Sequence, residues 1–210
     1  MILKFITVLL ILFTTCLSTA SDLGPTLLGG CGSILIHEAG HATTTYLLGG
    51  EVLAFRPYPH KVRFVDVDGS HEDKWVGGLV MSKPFQDENS HTKQAWVLAM
   101  GSGTNLLSVF LLAPLLPQLS SEFSKSTLDS MLYFSSFDMA AYTLVDLLSG
   151  DKNNDWSRVS KLSGVSLYWY FLGGLVAGVL ANEYRYYWHK RALHSEKTES
   201  GFSVGFSTSY

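Results

Sequence analysis

Apolar residues along this chain fall into long runs separated by short polar stretches. Four runs stand out: Leu27 to Leu48, Ala95 to Leu116, Leu128 to Leu148 and Val165 to Tyr187. Each approaches the ~20 residues that an α-helix needs to cross a ~30 Å hydrocarbon layer. A fifth run opens the chain. Lys4 precedes the apolar stretch Phe5 to Leu17, and Ser18-Thr19-Ala20 resembles a small-residue cleavage site. Residues 1–20 therefore read as a signal peptide or an uncleaved anchor helix.

Between the first two runs lies a polar region, Gly49 to Lys93. It holds two β-type runs, Val62-Arg63-Phe64-Val65 and Trp75-Val76-Gly77-Gly78-Leu79-Val80, with turn residues Pro57-Tyr58-Pro59 and Asp68-Gly69 nearby. This pattern predicts a hairpin or small sheet. The fold expected is mainly α: a polytopic transmembrane helix bundle with a small β element between its first and second core helices. Residues 21–194 would form the membrane-embedded domain. Residues 195–210, rich in Ser and Gly, would form a mobile polar tail.

Composition agrees with membrane burial. Charged residues make up 16% of the 210 positions, against roughly 25% in soluble domains. A net charge of −3 gives no sign of nucleic-acid binding. The two cysteines, Cys16 and Cys31, make neither a disulfide framework nor a CxxC metal pair. Lys4, residues 49–93 and residues 150–163 together hold ten of the 15 Lys and Arg. If they share one side of a membrane, that side is expected to be cytoplasmic.

The chemistry is concentrated in Ile36-His37-Glu38-Ala39-Gly40-His41-Ala42, an HExxH string. Residues four apart share one face of a helix, so His37 and His41 can turn imidazole nitrogens toward one zinc ion. A catalytic zinc keeps one position for water, and Glu38, one residue along, suits the general base. HExxH also arises by chance, as a surface motif or a hydrogen-bonded core pair. Here it sits inside an apolar run, where His and Glu are expensive without a compensating metal or partner. A third protein ligand is needed, and Asp146, Asp151 and Asp155 are the candidates by position. Asp146 near a helix end also reads as a snorkelling charge, and Asp155 as a helix N-cap. His60, His71, His91, His189 and His194 pair with no other histidine at helical spacing and read as solvated residues.

With these stretches in view, the chain resembles the site-2 protease family of intramembrane zinc metalloproteases, in particular its short bacterial-type members. The likeness is carried by the HExxH string followed by Leu47-Leu48-Gly49-Gly50, by Gly77-Gly78-Leu79-Val80, by Ala99-Met100-Gly101-Ser102-Gly103-Thr104-Asn105, and by Leu147 to Trp156 with Leu162-Ser163-Gly164. The resemblance implies peptide-bond cleavage within or near the membrane. It also implies Zn2+ as cofactor and a membrane protein or peptide as substrate. By order of segments it implies Asp155 as the third ligand, with Asp146 the runner-up. The chain lacks the family's Asn-x-x-Pro before that aspartate and carries Trp156 where Gly often follows. Two other readings accompany this one: a non-proteolytic metal-binding or scaffold relative in the membrane, and a soluble exported metallopeptidase. Oligomeric state is left open.

Overall fold

The computed structural model describes residues 23–58, 60–65, 71–76, 78–150 and 154–202. The expected leader at 1–20, together with Gly77, Asp151 and the last eight residues of the tail, lies outside them.

The first apolar run forms α1, Leu23–Leu47. Pro25 sits in its first turn, where a missing backbone N–H costs nothing. Its buried residues are mostly small or polar: Thr26, Gly29, Ser33, His37, Glu38, Gly40, His41 and Thr45. Four strands follow: β1 Val52–Arg56, β2 His60–Val65, β3 His71–Val76 and β4 Leu79–Ser82. They form two antiparallel two-stranded sheets, β1 with β4 and β2 with β3. The run expected from Trp75 to Val80 falls into two strands, β3 ending at Val76 and β4 starting at Leu79. β1 was not foreseen. Its five residues alternate poorly, and an extra residue at Leu53 bulges the ladder between Val52 and Ala54.

α2 spans Ser90–Leu112 and tightens into a 3-10 helix, Ala113–Gln118, at the prolines. α3 spans Glu122–Ser149. Ser121 caps it by accepting the Ser124 N–H, and Glu122 adds negative charge at its positive end. A short α4, Asp155–Ser163, precedes α5, Leu167–Phe202. Gly150 and Gly164 end α3 and α4 at φ 67° and 72°, where a side chain would be strained. α5 continues through Glu196-Lys197, both strong helix formers, and so extends into the first part of the tail, as far as Phe202.

α1 packs on α2, α3 and the β1/β4 pair; α3 packs on α5, and α4 on α2. The main apolar cluster joins Val109, Ala113, Leu116, Leu132, Ala181 and Ala192. A second gathers Leu98, Trp156 and Val159. Much of the rest of the described interior is polar. Ser33, Ser102, Asn105, Ser135, Asp138, Thr143 and Asp146 are all buried, while Leu111, Trp169, Val176 and Leu180 lie open. Asn105 donates to Ser33 Oγ at 3.3 Å, and Ser135 Oγ lies 3.3 Å from both Ser33 Oγ and Asn105 Oδ1. This fully internal knot ties α1, α2 and α3 together.

The protein is therefore mainly helical with a small β element. Among the described residues one helical stretch, Ser90–Gln118, is long and apolar enough to cross a membrane. A second qualifies if α4 and α5, bent by 120°, count as one span. α1 and α3 do not qualify, because their mean hydropathy carries the polar side chains they turn inward.

Candidate metal centre

α1 places His37 and His41 one turn apart, facing α2 and α4. His37 Nε2 and His41 Nε2 approach to 3.0 Å. Asp155, first residue of α4, brings Oδ2 to 3.0 Å from His41 Nε2 and 3.5 Å from His37 Nε2. Both histidines are almost wholly buried, whereas the Asp155 side chain keeps a quarter of its surface.

The opposite ring nitrogens fix which atoms face the cluster. His41 Nδ1 lies 2.6 Å from the Val97 carbonyl oxygen, which can only accept, so Nδ1 carries the proton. His37 Nδ1 donates likewise to Asp138 Oδ2 at 3.0 Å. In the neutral rings both Nε2 atoms are then bare lone pairs. With both rings neutral, three acceptors, two imidazole and one carboxylate, converge within 3.5 Å of one another. Such an arrangement repels itself unless a cation sits at its centre. Four ligands at ~2.0–2.1 Å around tetrahedral zinc stand ~3.3 Å from one another, and the observed separations of 3.0, 3.0 and 3.5 Å bracket that edge. The donor set of two imidazoles and one carboxylate suits zinc as well. The residues present fit the ion.

Close backbone approach makes room for the cluster. A Cβ at Gly101 on α2 would lie 2.5 Å from His37 Nε2 and 2.6 Å from His41 Nε2. A Cβ at Gly78, just before β4, would lie 2.5 Å from Glu38 Oε1. Gly40 does the same for helix packing, since a Cβ there would meet the Met100 carbonyl at 2.3 Å. Tyr142 of α3 stacks on the His37 ring, 5.0 Å between centroids.

Of the carboxylates open at the sequence level, Asp155 joins the histidines. Asp146 turns to the loop instead, accepting the Asn154 amide at 2.6 Å and the Ser157 N–H at 2.9 Å. It thereby clamps the start of α4 and frames Asp155. Gly101 of the small-residue stretch lines the cluster, while Asn105 belongs to the serine knot. His60 bonds the Tyr58 carbonyl, and His189 stands near Asp129, both away from the centre.

The chain matches no family model, no curated protein and no solved structure.

Three site residues were missed in the sequence. Asp138 supports His37, and Ser102 donates to the same Asp138 oxygen at 2.6 Å. Trp156 Nε1 donates to Ser102 Oγ at 3.2 Å. The signal for Asp138 was present: a carboxylate within an apolar run is functional by default. The stretches that carry the resemblance ran through Ser102 and Trp156 but gave neither a role.

Proposed function

We propose that the chain is an integral-membrane zinc endopeptidase, multi-pass, that hydrolyses peptide bonds of membrane-associated protein or peptide substrates. The observation that carries this reading is the convergence of one possible ligand atom each from His37, His41 and Asp155 within 4.8 Å of one another, beside Glu38. The membrane setting is supported by the inverted distribution of polarity. Small and hydrogen-bonded polar residues fill the interior, and large apolar side chains cover the outside. The resemblance of the HExxH and glycine-bearing segments to site-2 proteases points the same way.

When bound, zinc polarises the scissile carbonyl and acidifies water. The chain's own groups do the rest. His37 and His41 present lone pairs because Asp138 and the Val97 carbonyl hold their Nδ1 protons. Asp155 supplies a negative oxygen. Glu38, on the same helix and pressed against Gly78, is placed to take a proton from the attacking water and return it to the departing amine. The β1/β4 pair packs on α1, which puts a strand edge near Glu38 along which an extended substrate can lie. Substrate helices must unwind to expose such a carbonyl.

One observation favours a second reading, a non-proteolytic metal-binding or scaffold protein: the histidines are almost closed off from outside. Glu38→Gln separates the two. The endopeptidase retains about one zinc in this variant and loses cleavage of a membrane-anchored test substrate by several orders of magnitude. Unchanged cleavage by Glu38→Gln would overturn the enzyme reading.

A further inference from the structure

The bonds behind His37 have only one possible direction. An indole N–H donates and cannot accept; a carboxylate accepts and cannot donate. Ser102 lies between them, 3.2 Å from Trp156 Nε1 and 2.6 Å from Asp138 Oδ2. Its hydroxyl must therefore accept from Trp156 and donate to Asp138. Asp138 Oδ2, held there, accepts the His37 Nδ1 proton at 3.0 Å. The polarity set at Trp156 thus runs through α2 and α3 to α1 and leaves His37 Nε2 bare toward the cluster. The path also closes on itself, because Trp156 follows Asp155, whose Oδ2 stands 3.5 Å from His37 Nε2. Trp156, Ser102 and Asp138 are all buried, so water does not compete for these bonds.

We infer that Trp156 and Ser102, acting through Asp138, are positioning residues that set the His37 tautomer and fasten Asp155 to the same cluster. This rests on the metal site proposed above. Among the described residues, two other features hold the start of α4. Asp146 caps the helix, and the Trp156 ring packs on Tyr170 and Leu98. Packing alone would hold the indole without ordering a proton. The hydrogen bond does both, which gives the tryptophan a role a phenyl ring cannot fill. Partners that orient a metal ligand from behind are typically worth 10–100-fold in metal affinity.

The test uses the full chain in detergent, titrated with cobalt(II) and read by visible absorption, so that no substrate is needed. Trp156→Phe keeps the ring contact with Tyr170 and removes only the N–H. Ser102→Ala removes the adjacent bond independently, so either variant carries the test alone. Each is expected to weaken cobalt binding about tenfold and to alter the bound spectrum, with Asp138→Asn nearer to about 100-fold. The double variant is expected to bind no more weakly than the poorer single, because the chain acts as a unit. Wild-type affinity and spectrum in Trp156→Phe, or fully additive losses in the double variant, would overturn the positioning role. Wild-type protein that takes up no cobalt would instead overturn the metal site itself.

Discussion

α2 and α3 each carry two different interiors. Around Gly101, Ser102, Asp138 and Asp146 they enclose a hydrogen-bonded polar centre. Around Val109, Leu116 and Leu132 they enclose an apolar cluster shared with α5. In the apolar half any side chain of suitable shape will serve, and a vacancy is partly filled by relaxation. In the polar half each group has a fixed partner and direction, so one wrong atom removes the function of several. Stability and chemistry thus occupy opposite ends of the same helices.

Substitutions can break this division. The largest effect is expected from His41→Ala, which removes one of the three clustered groups and the one nearest to both others. Its zinc content should fall from about one per chain to near zero by elemental analysis, with helical circular dichroism retained. Gly101→Ala comes next. Its methyl group would occupy the space beside both Nε2 atoms, and zinc affinity should drop by at least about tenfold in a competition titration. In the other half, Leu132→Ala leaves a cavity at a fully buried site. It should cost about 2–5 kcal/mol of stability in denaturant titration while the folded fraction keeps its zinc. The smallest effect is expected at the exposed Lys83–Glu51 pair. Lys83→Ala should change stability by less than about 1 kcal/mol and leave zinc untouched. Zinc loss in Leu132→Ala would show that the two halves are not separable.

The sequence revealed the two halves unequally. Long apolar runs located α1, α2, α3 and α5, because length and hydrophobicity decide helix existence even when ends shift by several residues. HExxH marked two members of the cluster, His37 and His41, since four-residue spacing on a helix is itself a geometry. Asp155 needed more than spacing. Asp146 is just as acidic and as near in sequence, and only the tertiary placement of α3 and α4 sends one to the cluster and the other to the α4 cap. α4 itself was too short and polar to announce itself beyond a possible cap at its first residue. Ser102 and Trp156 act through direction of hydrogen bonding, which no residue pattern displays. The inward-facing polar side chains of α1 and α3 also explain why, among the described residues, hydropathy finds a clear span in α2 but not in them.

The central claim is that His37, His41 and Asp155 jointly hold one divalent cation. Its most direct measurement is the metal-to-protein ratio of the full chain purified in detergent without chelator. About one zinc per chain, lost on replacing any of the three ligands and kept in Glu38→Gln, is the predicted result. Metal-free wild-type protein that does not take up added zinc would contradict it.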